Sequence, residues 1–378
     1  MELSEQNVVQ YLRDAGRASP EGEILVQRLS EPDSANVVLK VFDSAAGAKI
    51  GTDLRTEGQI KLGKPDTRMN QGFCFVVKQP RLREVQRELD QARARQERAC
   101  LGLMANLLPA GSVPETLWID VTHEVLGLSC PPPEAVVWLK QLRNGVVSMD
   151  AATHAGMLLA MMHSSTRKDA ALKERFGDPR QLVQQIVEPM IRTTATRHPA
   201  LAKNLQDAIL RLRSPLCLIH GDFRPENILL VPAPGEPDPS VKGKGPRLAH
   251  VMFVDFETAF FGHNAFDVVT LVADLLLVGF LASGRWRAMM MMVDNFWQTY
   301  RHTADPELVR AAEVAGGRLL GAMLLGRVDG GPPLKELVER RELQGRVRGL
   351  AQAMLKPTAI TLDEAIDEAP MHFDPPRG

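Results

Sequence analysis

The first third of the chain alternates short apolar runs with polar breaks. β-branched and aromatic residues are frequent in the runs, and Gly, Asp and Pro separate them, a pattern typical of antiparallel strands. The runs are Ile24–Arg28, Val37–Phe42 and Phe73–Lys78, with a further short strand around Thr116–Val121. Before them, Ser4 can cap a helix that ends near Ala15. After the third run, a densely charged helical pattern extends from Leu82 to Leu108.

The remainder of the chain has mainly helical periodicity. Helices are predicted at residues 133–143, 150–165, 180–194, 200–213, 266–282, 286–301, 305–325 and 333–354. Strand-like runs interrupt them at Leu216–Ile219, Ile228–Val231 and Val251–Val254. Two polar stretches are too long for tight turns. Asp43–Gly72 is either an extended hairpin or a loop, and Pro232–Arg247 is expected to be a surface loop.

This asymmetry predicts an α+β protein with two lobes. Residues 1–121 would form a small N-lobe with an antiparallel sheet and one long helix, and residues 122–365 a large, mainly helical C-lobe. Residues 366–378 would form a disordered tail. A β-rich front half before a helical rear half is the layout of a two-lobed enzyme that clamps a nucleotide.

Charge and hydropathy exclude several functional classes. The 378 residues carry a formal net charge of −1, so no overall positive field attracts nucleic acid or anionic lipid. The most apolar segment, Phe266–Ala282, is interrupted by Asp267 and Asp274 and is shorter than the ~20 apolar residues that a bilayer requires. The first residues do not have the pattern of a signal peptide. We therefore expect a cytoplasmic protein without a nucleic-acid or membrane partner.

The four cysteines show no metal-binding pattern. Cys74, Cys100, Cys130 and Cys217 are scattered, without CxxC or Cys/His spacing. In a reducing cytosol we expect all of them to be buried free thiols.

The strongest chemical signal is the segment Leu218–Leu230. An apolar run leads into His220-Gly-Asp222, and Asn227 follows five residues after Asp222, just before a second apolar run. Phosphoryl transfer to an alcohol requires a carboxylate that accepts the hydroxyl proton and oxygen ligands that hold Mg²⁺ on the phosphates. The segment predicts Asp222 as the catalytic base and Asn227 as a metal ligand, with the spacing of a kinase catalytic loop.

A second carboxylate motif follows 33 residues beyond Asp222. The apolar run Val251–Val254 ends in Asp255, which we predict to be the principal Mg²⁺ ligand. Glu257 either shares a second metal ion or faces solvent. Each motif is weak alone, but their order and their flanking strands together favour a catalytic role.

Lys78 ends the third apolar run of the N-lobe. A lysine in that place can neutralise the α- and β-phosphates of ATP if a helix carboxylate holds its ammonium group. The following helix offers Glu84, Glu88 and Glu97, and we predict Glu97 because it precedes the apolar turn that would pack on the sheet.

The turn Leu29–Val37 is the expected phosphate-covering loop. It has no GxGxxG pattern, but backbone amides and the hydroxyls of Ser30 and Ser34 could still contact phosphates. The acidic Glu31 and Asp33 are unfavourable for that role.

With these motifs the chain resembles the aminoglycoside phosphotransferase and choline kinase superfamily, and within it looks most like methylthioribose kinases. The broader resemblance runs through the opening helix, Val76–Gln79, Arg93–Leu101 and Val251–Val278. It implies a protein-kinase-like fold, ATP, Mg²⁺ and a small hydroxylated acceptor. Asp267 would then cap its helix and brace the catalytic loop. The paired arginines with which methylthioribose kinases grip the sugar are missing from Gly317–Gly330.

Four residues are candidates for contact with the acceptor. Arg327 and Asp329 follow a predicted helix, where a helix-ending salt bridge explains them equally well. Arg224 lies beside the catalytic aspartate, and His263 lies between the metal motif and the next helix.

Two other functions remain open. A protein kinase is disfavoured because Gly221 replaces the arginine that reads a phosphorylated activation loop, and because few residues separate Asp255 from the next helix. A catalytically inactive kinase-fold binding module is favoured only by the acidic turn near Ser30. The Met-rich stretch Arg287–Val293 is either core or the face of a homodimer.

Overall fold

The computed structural model describes residues 1–32, 34–44, 73–82, 87–180, 183–233, 247–282, 284–331, 334–356, 358 and 360–373. Two compact units emerge. The first comprises Met1–Ala105 and Pro114–Pro133, and the second Asn106–Val113 and Glu134–Gly378. The first unit includes a strand that we did not predict, Val125–Ser129.

The first unit contains one antiparallel sheet and two helices. Its strands are β1 (Ile24–Arg28), β2 (Asn36–Asp43), β3 (Phe73–Pro80), β4 (Thr116–Asp120) and β5 (Val125–Ser129), in the order β1-β2-β3-β5-β4. The helices are α1 (Val8–Asp14) and α2 (Arg87–Leu107). Alternate residues of β2, such as Val37, Leu39 and Val41, are buried with Phe75 and Trp118 in a core against α1. This alternation is what the apolar pattern predicted.

Cys74 and Cys130 form a disulfide, which contradicts the prediction that all four cysteines are free thiols. β3 and β5 are neighbouring antiparallel strands, and their register places Phe75 opposite Ser129. The next residue outward on each strand is therefore a cysteine facing a cysteine, with 5.7 Å between the Cα atoms. Cys100 and Cys217 are buried and not disulfide-bonded.

The second unit is mainly helical. Its α-helices are α3 (Trp138–Arg143), α4 (Met149–Ser165), α5 (Ala170–Phe176), α6 (Thr193–Arg197), α7 (Ala202–Leu210), α8 (Ala265–Leu281), α9 (Trp286–Thr303), α10 (Pro306–Asp329), α11 (Arg341–Met354), α12 (Leu362–Glu368) and α13 (Pro370–Phe373). A π-helical segment, Val183–Arg192, leads directly into α6. α12 and α13 occupy residues that we predicted to be a disordered tail from residue 366.

Two small antiparallel sheets hold the loops of the second unit. β6 (Val136–Val137), β8 (Ile228–Pro232) and β9 (Leu248–Phe253) form one, and β7 (Cys217–Ile219) pairs with β10 (Phe260–Gly262) in the other. The predicted helix 133–143 therefore begins only at Trp138, after a short strand. These sheets are the supports at both ends of the catalytic segment.

α8 is the central helix of this unit. Almost every residue from Ala265 to Phe280 is buried, which explains its continuous apolar sequence as core rather than membrane span. Among the described helices, none has the length and hydropathy to cross a membrane. In α9, Met289, Met290 and Met292 are also buried, so these methionines belong to the core.

The α+β class predicted from the sequence is confirmed. A five-stranded antiparallel sheet with one long helix precedes a mainly helical unit, as expected of a protein-kinase-like fold.

Candidate active site

The segment after β7 forms a loop that ends in a short 3₁₀ turn, Pro225–Asn227, before β8. Within it, Asn227 Nδ2 donates to the carbonyl oxygen of Asp222 at 2.9 Å and to its Oδ2 at 3.0 Å. The amide group thereby fixes both the backbone and the carboxylate of Asp222. Since Nδ2 makes these bonds, Oδ1 is the atom that Asn227 can offer to a cation.

Asp267 holds the start of this loop from α8. Its Oδ2 accepts a hydrogen bond from His220 N at 2.7 Å, and its Oδ1 accepts one from Gly221 N at 2.9 Å. The carboxylate is fully buried, and His163 Nε2 lies 3.1 Å from Oδ2. The predicted bracing role is thus observed. The predicted capping role is not, because Asn264 precedes the helix and Asp267 lies in its first turn.

Only glycine fits at position 221. Its φ of +82° lies in the left-handed region, which residues with a Cβ rarely adopt. A Cβ would also lie 2.2 Å from the carbonyl oxygen of Thr258. Thr258 Oγ1 in turn donates to the carbonyl oxygen of His220 at 3.3 Å. The close backbone approach ties the catalytic loop to the segment that follows β9.

That segment carries the second pair of carboxylates. Asp255 lies two residues after β9 and has a φ of +69°, a strained conformation for a residue other than glycine. Carboxylate oxygens of Asp255 and Glu257 lie within 4.8 Å of each other. Glu257 is buried, which contradicts the alternative that it faces solvent. Together with the Asn227 amide oxygen, these are the hard oxygen donors that Mg²⁺ prefers, so the residues present fit that ion.

In the first unit, Lys78 and Glu97 form a buried ion pair. Lys78 Nζ lies 2.8 Å from Oε1 and 2.7 Å from Oε2 of Glu97, and both side chains are less than one-tenth exposed. Of the other carboxylates considered, Glu88 is exposed and Glu84 lies outside the described residues. The structure therefore brings together the pair chosen from the sequence.

The two serines of the expected phosphate-covering turn accept backbone hydrogen bonds. Ser30 Oγ accepts from Val38 N at 3.1 Å, and Ser34 Oγ accepts from Asn36 N at 3.4 Å. Each hydroxyl retains its proton as a donor. Asp33 of this turn lies outside the described residues.

A network of charges surrounds Arg224, beside the catalytic aspartate. Arg224 Nε donates to Asp274 Oδ2 at 2.6 Å, and Arg224 Nη2 donates to Glu226 Oε1 at 2.8 Å. Arg327 Nη2 lies 3.2 Å from the other carboxylate oxygen of Asp274. Burial tends to raise the pKa of Asp274, but Arg224 and Arg327 outweigh it and lower that pKa. Asp274 thus stays ionised and holds two arginines near the catalytic loop.

This network also acts on Asp222. Desolvation raises the pKa of Asp222 above its ordinary value, and the negative charge of Asp255 acts in the same direction. Arg224 and Arg327 oppose the rise but do not cancel it. A raised pKa makes this carboxylate a stronger proton acceptor than an exposed aspartate, which suits a general base.

Two of the residues predicted to contact the acceptor have structural partners. Asp329 receives two hydrogen bonds of 2.8 Å from Arg348, and His198 Nε2 lies 2.8 Å from its Oδ2. This is the helix-ending salt bridge that the sequence left as an alternative. His263 is buried before α8, where its Nδ1 accepts from Ala265 N. Burial, and next the positive charge of His163, lower the pKa of His263 to about 4.

Sequence reasoning missed the residues that support the loop from behind. From the sequence, Asp274 was recognised only as an interruption of an apolar segment, and Glu226 and His163 were not recognised as site residues. The signal for Asp274 was present, since a carboxylate in the middle of an otherwise apolar helix is expensive to bury without a cationic partner. The partners, Arg224 and Arg327, are 50 and 53 residues away in sequence.

Comparison with known proteins gives a family match. The family model described as "Phosphotransferase enzyme family" (APH) matches residues 66–305, which include Lys78, Asp222 and Asp255. No curated protein matches the chain significantly.

Several solved structures resemble the fold. The ethanolamine kinase Pv091845 of Plasmodium vivax is 12% identical, with 98% of this chain and 85% of that chain covered and a TM-score of 0.47. A choline/ethanolamine kinase family protein from Mesorhizobium loti is 15% identical, with 96% and 99% covered and a TM-score of 0.45. A streptomycin-ATP-APH(2")-IIa ternary complex is 13% identical, with 86% and 91% covered and a TM-score of 0.46. Likenesses at this level do not identify a substrate.

Proposed function

Because the chain belongs to the phosphotransferase enzyme family, we propose that it transfers the terminal phosphoryl group of ATP to a hydroxyl of a small molecule. The observation that carries this proposal is the catalytic loop. Asn227 holds Asp222 through its backbone and its carboxylate. Asp267 fixes the backbone amides of the two residues before Asp222, His220 and Gly221. Such support holds a general base in one orientation, which is what phosphoryl transfer asks of a protein.

Asp222 acts on the acceptor. Its ionised carboxylate accepts a hydrogen bond from the hydroxyl, orients the oxygen, and takes the proton as the oxygen bonds to phosphorus. Desolvation raises the pKa of Asp222, which increases its affinity for that proton. Arg224 and Arg327 limit this rise and so favour the ionised form of the carboxylate.

Charge neutralisation is divided among the other site residues. Lys78, held by Glu97, would pair with the phosphates of ATP, and the turn carrying Ser30 and Ser34 would cover them with hydroxyl and amide donors. Asn227, Asp255 and Glu257 would hold Mg²⁺. When bound, the ion neutralises the negative charge of the transferred phosphates.

A small acceptor is favoured over a protein acceptor. β10 begins five residues after Asp255 and pairs with β7, and α8 begins three residues after β10 ends. This short, paired connection leaves no long activation segment on which a peptide could lie. The acceptor is proposed to be a sugar, a thiosugar or an amino alcohol, the classes implied by the sequence resemblance.

The direct test is ADP release from Mg-ATP with a panel of acceptors. The panel contains methylthioribose, choline, ethanolamine, a simple sugar and an aminoglycoside, and Asp222→Asn is the matched control because it keeps the shape of the side chain. Turnover of one compound that is lost in Asp222→Asn is the expected result. Mg-ATP binding without turnover of any acceptor would favour a binding module, and absence of nucleotide binding would overturn the proposal.

A further inference from the structure

A cavity of about 270 Å³ lies in the second unit beside the catalytic loop. One part of its wall is polar and consists of Arg224, Glu226 and Asp274. Arg224 and Glu226 follow Asp222 by two and four residues in the same loop. The loop that carries the proposed catalytic base therefore also forms the polar part of the cavity.

The rest of the wall is mainly aliphatic, and Arg340 and the ion-paired Arg143 and Glu336 also line it. α3 contributes Leu139 and Leu142, and α8 contributes Leu277, Val278 and Leu281. A fully polar sugar would leave its hydroxyl groups without partners against such a wall, at a cost in free energy for each group that is desolvated. A hydrocarbon group would instead gain free energy there through burial.

The charges of the polar part are already satisfied mostly by one another. Asp274 is paired with both Arg224 and Arg327, and Arg224 also binds Glu226. This part therefore presents a nearly neutral surface with room for a hydroxyl group.

Resting on the proposed phosphotransferase function, we propose that this cavity receives the aliphatic part of the acceptor, whose hydroxyl group lies at the polar end beside Asp222. Among the acceptor classes proposed above, one that carries a hydrocarbon or thioether group is therefore preferred over a fully polar sugar. The volume corresponds to about nine water molecules at ~30 Å³ each, so the group that fits has on the order of six to nine non-hydrogen atoms.

The test measures binding of a series of linear 1-alkanols, from ethanol to decanol, by calorimetry on the full chain. Each methylene that enters the cavity should raise the affinity about three- to fourfold. The increase should stop at about six to nine carbons, where the cavity is full. A flat series, or an increase without a break up to decanol, would overturn the proposal.

Variants at Leu139 locate the binding site. The break in the series is the chain length at which the affinity stops increasing. Leu139→Ala enlarges the cavity and should move this break to alcohols one or two carbons longer, and Leu139→Phe should move it to shorter ones. Leu210→Ala is the matched control, because Leu210 is a partly exposed leucine of α7 that does not line the cavity. Breaks that are the same in Leu139→Ala and Leu210→Ala would also overturn the proposal.

Binding and turnover separate this inference from the proposed function. Asp222→Asn should abolish ADP release while keeping the chain-length break. If the break is present but Asp222→Asn has no effect on phosphotransfer, the cavity assignment stands and the catalytic assignment fails. If Asp222 is required but the alkanol series is flat, the phosphotransferase stands and the aliphatic acceptor is refuted.

Discussion

Gly221 gives the sharpest test of how the catalytic loop is built. In Gly221→Ala, the new methyl group meets two separate obstacles. The residue has a φ of +82°, where a Cβ costs about 1–2 kcal/mol. The Cβ also falls 2.2 Å from the carbonyl oxygen of Thr258, and reaching the 3.4 Å of ordinary contact requires a displacement of about 1.2 Å.

That displacement has few ways to be absorbed. Thr258 is buried and bonded to His220, and Asp267 binds the amide of Gly221 itself. Overpacking of this kind costs about 1–3 kcal/mol. The total expected loss in the free energy of unfolding is therefore about 2–5 kcal/mol. Because the loop must shift next to Asp222, the rate of phosphotransfer should also fall, by about 100-fold for a displacement of about 1 Å.

Gly284→Ala is the control that separates the two costs. Gly284 has a φ of +78° in the same unit, but apart from its chain neighbours no atom of the described residues lies within 4 Å of its Cβ position. Its variant should lose only the conformational part, about 1–2 kcal/mol, and keep full activity. Guanidinium unfolding followed by tryptophan fluorescence gives both free energies, and ADP release gives both rates. Equal stability and equal activity of the two variants would refute the steric argument.

The remaining predictions concern acidity, the phosphate-binding lysine and the disulfide. Because the pKa of Asp222 is raised and only its ionised form accepts a proton, phosphotransfer should fall as pH decreases through a value above the ordinary aspartate range. Arg224→Gln removes a cation that lowers this pKa, so the acid limb of the kcat/KM–pH profile should move to higher pH. An acid limb at the wild-type pH would contradict the assignment of Asp222 as the general base. Lys78→Met removes the cation that pairs with the buried Glu97 carboxylate and should lower the free energy of unfolding in urea by about 3–5 kcal/mol. It should also raise KM for ATP, and wild-type values of both would argue against the pairing. Reduction of Cys74–Cys130, which are 56 residues apart, should cost about 4 kcal/mol, and an unchanged Tm under reducing conditions would count against the bond.

The sequence predicted the elements whose evidence is local. Strands β1 to β3 and most long helices follow from the period of their apolar residues, because burial of one face imposes that period. Asp222, Asn227 and Asp255 were chosen because their spacing between apolar runs matches a chemical task, and the structure places the Asn227 amide on the Asp222 carboxylate. The choice of Glu97 as partner of Lys78 also rested on local pattern.

What the sequence missed depends on contacts between distant segments. β5 was overlooked because Val125–Ser129 is short and its identity as a strand depends on pairing with β3. The same pairing places Cys74 opposite Cys130, which spacing along the chain does not reveal.

The sequence by itself determined that this chain carries the chemistry of a phosphotransferase, because that chemistry requires particular groups in a short, ordered motif. Only the tertiary structure decided how those groups are supported and what surrounds them. Arg327 meets Asp274 because α8 and α10 pack side by side, whereas Arg224 meets it from the catalytic loop. The mainly aliphatic cavity exists because α3 and α8 present leucines to the same space. The physical reason is that periodicity identifies which face of a helix is apolar, whereas packing decides which other face it meets.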